Sequence, residues 1–410
     1  MRKIKKPLLI LSWALYDTAN QFFALNVVSL YFPRWLNIEK NSPEILYSLS
    51  FGISVFFVAI CAPILGAISD ISGRRKTFLI YFTLISVIFT MALGLTGNIF
   101  LALVFFAIAN FGCQGAIVFY NALMLNVASP ARIGLVSGLG RMFGYAGALL
   151  ALYFTKPVIL NVGYEATFVL TGVLFLIFSL PCMIFVKDVS PKEDMPLVYF
   201  LQKEKILQTF RRLRSTLFDS YKVTPLRNFL KAAFFGLCVV NAIILFMSIY
   251  IGKVFGLEES EIINLIAFST VFAIVGSIVS GFISDIFGHV RSLIGVFFLW
   301  IICLLGAGLL HPPFHWLIGA LAGISLGSTW VVSRALVIRL VPREKIGEAF
   351  GLFNFVGYCS GIIGPIFWGM VLLVFSPLGE ARYRFACLGL IVFMVIGSYF
   401  LLRLRKDLAR

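Results

Sequence analysis

Charge is scarce in this chain. Only 13% of its 410 residues are Asp, Glu, Lys or Arg, while 60% are apolar; soluble domains carry about 25% charged residues. A water-soluble fold of this length cannot hide so much apolar side chain, so the remaining solvent is lipid. Acidic groups are scarcest of all, with 18 Asp and Glu against 34 Lys and Arg and a formal net charge of +16. That excess does not describe a nucleic-acid surface, because the basic residues sit in the gaps between apolar runs and form no single patch. No nucleic-acid partner is expected. Alternating strands of ~10 residues are also missing, which excludes a β-barrel. The chain has no CxxC pair, and Cys61, Cys113, Cys182, Cys238, Cys303, Cys359 and Cys387 all fall in apolar runs, where they read as small apolar residues. It also lacks a Walker loop, a GxSxG and a His/Asp catalytic set, so neither enzyme nor cofactor is expected. His311 and His315 have a metal-like spacing, but Pro312 and Pro313 break any helix between them and no third ligand is near.

What the chain has in abundance is apolar runs of about 20 residues, the length that spans a ~30 Å hydrocarbon core. Turn signals divide them into spans at 8–33, 45–69, 77–96, 98–125, 132–155 and 165–186, then 229–252, 261–284, 291–310, 314–338, 346–375 and 383–403. The reading is an all-α membrane protein with twelve transmembrane helices in two pseudo-symmetric six-helix halves, 1–186 and 229–410. Between them lies a basic linker, 187–228, in which Leu197, Leu201, Ile206, Phe210, Leu213 and Leu217 mark an amphipathic stretch at the membrane surface. Basic Arg2 to Lys6 precede an apolar run that contains Asp17 and Asn20 and lacks a small-residue cleavage site, so an uncleaved first span is expected. With both termini in the cytoplasm, only Arg34, Lys40, Lys156, Lys253, Arg382 and Arg384 among the basic residues fall outside, and Arg141 and Arg334 lie within spans. This is the orientation the positive-inside rule favours. Compact loops point to a prokaryotic plasma membrane, and a monomer is expected.

The halves repeat one another. Between the second and third helices the chain reads Gly66-Ala-Ile-Ser-Asp70-Ile-Ser-Gly73-Arg74-Arg75-Lys76; between the eighth and ninth it reads Gly281-Phe-Ile-Ser-Asp285-Ile-Phe-Gly288-His289-Val-Arg291. Gly138, Gly144-Tyr145 and Gly147 likewise match Gly351, Gly357-Tyr358 and Ser360. Two matches at nearly one offset, close to half the chain, read as a duplication. Glycine in these loops lets helices approach and turn. The Asp at the helix end can accept from another helix's N-terminus or pair with Arg. Such a contact can latch two helices in one conformation and release them in another.

The Gly66–Lys76 segment resembles the signature loop of the major facilitator superfamily, with Gly281–Arg291 as a weaker second copy. Trp13-Ala-Leu-Tyr16-Asp17-Thr-Ala-Asn20, Phe119-Tyr120-Asn121-Ala122, Ser137-Gly138-Leu-Gly140, Gly144-Tyr145-Ala-Gly147, Ser333-Arg334, Phe350-Gly351 and Gly364-Pro365 resemble the vacuolar amino-acid effluxer (autophagy-related) family and its prokaryotic relatives. The resemblance implies a secondary transporter that exports a small solute, neutral amino acids among the candidates. Arg141, the solitary Asn241 and His289 depart from that family's pattern.

Ionisable groups deep in a spanning helix are costly and mark function. Asp17 is the one acidic residue well inside a span, which makes it the candidate for proton coupling. Its depth matches that of Arg141, and Arg334 lies slightly nearer the cytoplasmic face. Asp17 is expected to pair with one of these two, and which one stays open. The superfamily resemblance implies a cavity lined by helices 1, 4, 7 and 10. Those helices supply Asn20, Gln21, Asn26, Asn110, Gln114, Tyr120, Asn121, Asn241, Trp330 and Arg334. Amides donate and accept without charge, which suits a small polar or zwitterionic solute.

Overall fold

The computed structural model describes residues 6–42, 44–188 and 224–408. All of its regular elements are helical, which fits chain-long apolar runs in lipid, where a helix alone satisfies every backbone group within one segment. The first, α1 (Lys6–Phe23), continues through wide π turns at Ala24–Leu30, a single α turn at Tyr31–Arg34 and a second π stretch at Trp35–Glu39. It therefore runs past the predicted end at residue 33. Pro33 removes one N–H donor here, and the π turns absorb the change without stopping the rod.

The rest of the first half is α2 (Glu44–Ser72), α3 (Arg75–Leu93), α4 (Ile99–Val127), α5 (Ile133–Asn161) and α6 (Tyr164–Phe185). The second half is α7 (Thr224–Phe255), α8 (Glu259–Phe287), α9 (His289–Leu309), α10 (His315–Leu340), α11 (Ile346–Val374) and α12 (Ala381–Asp407). Eleven of these twelve are long and apolar enough to cross a membrane. The exception is α1, where Asp17, Asn20 and Gln21 dilute the apolar run. Residues 189–223, which carry the expected amphipathic stretch from Leu197 to Leu217, lie outside the described residues.

Burial is inverted relative to a soluble protein. Phe56 and Phe282 are more than half exposed, whereas Asp17 is 4% and Asn110 0% exposed. An apolar exterior around a polar interior is what a lipid solvent selects.

By packing, the chain forms two units. One holds Met1–Pro130, Leu139–Leu213 and Pro342–Gly351; the other holds Ala131–Gly138, Arg214–Val341 and Leu352–Arg410. Inside the first, α1 packs on α6 and α4, α3 on α4 and α6, and α2 on α4. Inside the second, α7 packs on α12 and α10, α9 on α10 and α12, and α8 on α10. Adding six to each helix number turns one list into the other, so the duplication extends from sequence to packing. Even the tight turns repeat. Gly73 joins α2 to α3 at φ +68° and Gly288 joins α8 to α9 at φ +89°, a conformation that a side chain disfavours.

Candidate functional site

The polar face of α1 is the centre of the first unit. Trp13, Tyr16, Asp17 and Asn20 follow one another at helical spacing and all are buried. Trp13 stacks on Tyr120 of α4 at 4.6 Å and donates from Nε1 to the Tyr120 carbonyl at 3.0 Å. Tyr16 also stacks on Tyr120, at 4.9 Å, and its hydroxyl shares a hydrogen bond with Thr83 of α3. This aromatic ladder fixes the rotation of α1 and so decides where Asp17 points.

It points toward α5. Asp17 Oδ1 lies 3.9 Å from an Arg141 guanidinium nitrogen, which is ion-pair range but beyond a hydrogen bond. The same guanidinium lies 5.8 Å from the Tyr145 ring centre. Glycines set this spacing. A side chain at Gly147 would collide with Thr18, whose hydroxyl donates to the Phe143 carbonyl at 2.8 Å, and Gly144 faces Asp17 itself. Arg141, one of the two partners the sequence left open for Asp17, stands at that distance from it.

One turn further along α1, Asn20 is 5% exposed. Its Oδ1 accepts a long contact of 3.9 Å from Cys113 Sγ, and its Nδ2 has no hydrogen-bond partner among the described residues. A buried amide donor left unbonded costs about 1–3 kcal/mol, so it calls for a functional explanation. Gln21 and Gln114 are partly exposed, and Asn121 is buried. Asn110 is fully buried and donates to Ser54 Oγ of α2 at 2.7 Å. Asn26, in the first π stretch, donates to Thr171 Oγ1 of α6 at 3.1 Å and accepts from Thr155 Oγ1 of α5 at 3.4 Å. These last two amides tie helices together.

In the second unit, Asn241 of α7 donates to Ser360 Oγ of α11 at 3.1 Å. Trp330 is partly exposed on α10. Arg334 is buried and holds the start of α5, donating to the Ser137 carbonyl at 2.7 Å and to Ser137 Oγ at 3.2 Å. A cavity in this unit, lined by Tyr250, Trp300, His315 and Trp368, measures about 50 Å³.

Both repeated loops cap a helix. Within the first unit, Asp70 accepts the N–H groups of Gly347 and Glu348, each at 2.9 Å, at the start of α11. It also takes Arg75 Nε at 3.0 Å and Nη2 at 2.7 Å, and the same guanidinium donates to the Arg343 carbonyl at 2.6 Å. Within the second, Asp285 accepts the N–H groups of Gly134 and Leu135, each at 2.8 Å, at the start of α5. Gly66 faces Gly347 and Gly281 faces Gly134, with no room for a Cβ at any of the four. The two caps differ at Arg75: the repeat offset places Val290 there, so the second cap lacks that guanidinium. Arg74 and Arg291 flank the two turns.

The family model for the Major Facilitator Superfamily matches residues 18–365 and 229–410. The chain belongs to the Major Facilitator Superfamily. It is 28% identical over 411 residues to the uncharacterized MFS-type transporter YxiO of Bacillus subtilis (strain 168), covering 94% of this chain and 92% of that one. Autophagy-related protein 22 of the yeast Vanderwaltozyma polyspora is 23% identical over 407 residues, covering 87% and 78%. The crystal structure of the human organic anion transporter MFSD10 superposes with a TM-score of 0.76 at 14% identity, over 97% of this chain and 100% of that one. This superfamily member is thus a multi-pass membrane transporter and not an enzyme.

Sequence reasoning did not find Asp188, which stands just past α6 and accepts from the Lys76 N–H at the start of α3 at 2.9 and 3.0 Å. Nor did it find Ser137 as the partner of Arg334. Asp188 was legible only as one acid in a mixed loop, and Ser137 only as one small residue in a glycine-rich run.

Proposed function

We propose that this transporter moves a small polar or zwitterionic solute, with neutral amino acids among the candidates, by alternating access and in the direction of export. Asp17 is the coupling carboxylate, and its pair with Arg141 is the charge-sensitive element. Protonating Asp17, or binding a solute whose own charges replace one partner, removes the attraction and shifts the population between access states. The observation that carries this reading is the Asp17–Arg141 pair one helical turn from the buried Asn20 amide, whose Nδ2 has no hydrogen-bond partner among the described residues. A zwitterion offers its carboxylate oxygens to Arg141 and Asn20 Nδ2 and its ammonium to Asp17 at once. Gln21, Gln114, Tyr120 and Asn121 complete the first-unit lining, and Asn241, Trp330 and Arg334 supply the second.

The Asp70 and Asp285 caps act as latches, formed in one access state and broken in the other. Both lie at helix ends that the distribution of Lys and Arg assigns to the cytoplasm, and bacterial relatives favour a plasma membrane.

The test is counterflow of a pooled labelled amino-acid mixture in proteoliposomes, with and without a pH gradient. Gradient-driven flux that Asp17→Asn abolishes, with exchange retained, supports the reading. Undiminished gradient-driven flux in Asp17→Asn removes Asp17 as the coupling group, and no flux of any pool member removes the amino-acid class.

A further inference from the structure

The duplicated halves treat one pair of equivalent helix starts differently. In the first unit the N-terminus of α3 is capped from the end of α6, where Asp188 accepts the Lys76 N–H. In the second unit the equivalent helix is α9 and the equivalent neighbour is α12. Among the described residues, no side chain accepts from the first N–H groups of α9. In place of a carboxylate there is a crevice of about 460 Å³, and Arg291, Arg339 and Arg405 line it.

We propose that this crevice binds the phosphate headgroup of an anionic phospholipid. Four observations converge on that ligand. Three arginines, from α9, α10 and α12, line one crevice, and planar guanidinium forks match phosphate oxygens two at a time. The first-turn N–H groups of α9 and its dipole favour an anion at the same place. His289, which also lines the crevice, is 8% exposed, and its Nδ1 has no hydrogen-bond partner among the described residues. Two acids at this end, among the described residues, are already engaged: Asp285 with the Gly134 and Leu135 N–H groups, and Asp407 with Asn228 Nδ2 at 2.7 Å.

The walls distinguish a lipid from a free phosphate. Phe287, Val290, Leu336, Leu340 and Leu408 complete the lining, and Phe287 and Leu408 are both more than half exposed. A soluble phosphate gains nothing from them. A glycerophospholipid lays its glycerol and upper acyl carbons against such side chains while its phosphate meets the arginines. Basic pockets between spanning helices are the usual form of such headgroup sites. Because its lining includes neither Asp17 nor Arg141, the site stands or falls independently of the solute reading.

The experiment is native mass spectrometry of the full chain, purified in detergent and titrated with phosphatidylglycerol, phosphatidylcholine or inorganic phosphate. Wild type is expected to retain one phosphatidylglycerol in preference to phosphatidylcholine, and millimolar phosphate should not displace it. Arg405→Gln and Arg291→Gln should each weaken retention about fivefold, the equivalent of ~1 kcal/mol per arginine near an anionic surface. Arg382→Gln removes the same charge elsewhere and should leave retention unchanged. Equal retention of the two lipids by wild type overturns the proposal without recourse to any variant. So does displacement by inorganic phosphate, which would make the crevice a site for soluble phosphate, and so does an equal loss in Arg382→Gln.

Discussion

Gly66 of α2 and Gly347 at the start of α11 meet backbone to backbone, so that a methyl group on either would overlap the carbonyl oxygen of the other. Gly347 is further hemmed by Ser69 Oγ at 2.7 Å and Asp70 Oδ1 at 2.8 Å from an ideal Cβ. Gly347→Ala therefore cannot be absorbed by a side-chain rotation. It should destabilise the protein by about 1–3 kcal/mol, the cost of overpacking a tight contact. Gly295 of α9 has open space at its Cβ, and Gly295→Ala should stay within about 0.5 kcal/mol of wild type. Chemical unfolding in micelles compares the two, and equal effects would mean the close approach carries no energy.

Asp70 and Asp285 make the same two backbone bonds but differ in their surroundings. Asp70 also neutralises Arg75, and both side chains are less than a tenth exposed. Asp70→Asn leaves a buried guanidinium without its anion, which costs about 3–5 kcal/mol. Asp285→Asn loses chiefly a charged helix cap, worth about 1 kcal/mol. The Asp70 variant should melt well below the Asp285 variant. Equal melting temperatures would show that Arg75 adds nothing beyond the cap.

The Asp17–Arg141 pair is testable apart from transport. Each single change, Asp17→Asn or Arg141→Ala, leaves one charge in a buried setting, whereas the double change leaves none. The double variant should therefore lose less stability than the two singles added together, with an interaction energy of roughly 0.5–3 kcal/mol. Strict additivity would show that charges 3.9 Å apart do not couple.

Asp188 gives a pH dependence. Burial pushes its carboxyl up to about 6, and the Lys76 N–H and the nearby Arg75 and Lys76 charges offset this only in part. In the unfolded chain the same group titrates near 3.9. Between these values the folded protein holds the proton that the unfolded chain releases. The contribution of Asp188 is thus fully present below about pH 4 and is lost as pH rises through 6. Asn in its place mimics the protonated form at every pH. Asp188→Asn should therefore gain stability relative to wild type between pH 4 and 7, by on the order of 2 kcal/mol. Thermal melts of both proteins across that range give the difference, and a constant difference would rule the effect out.

How far the site could be read in advance differs from residue to residue. Asp17 was legible because an acid deep in an apolar run has no cheap structural explanation. Asp70 and Asp285 were legible because their loops repeat. The amides were not. Asn20 and Asn110 look alike in an apolar helix, yet Asn110 spends its donor on Ser54 while the Asn20 donor finds no partner among the described residues. Which of them faces a solute depends on the rotation of each helix, and aromatic stacking at Trp13, Tyr16 and Tyr120 sets that rotation for α1. No local pattern carries it.

The sequence by itself determined the number of helices, the duplication and the superfamily. Each follows from properties that add up along the chain: the free energy of placing about 20 apolar residues in lipid, and the recurrence of one loop at half the chain length. The tertiary structure alone decided that Arg141 stands within ion-pair range of Asp17, that Arg334 holds Ser137, and that α3 is capped by Asp188 while a crevice beside α9 is lined by three arginines. Those outcomes depend on which faces of two helices meet. That choice is made by glycine contacts and ring stacking between residues more than a hundred positions apart, whose energies exist only once the helices have packed.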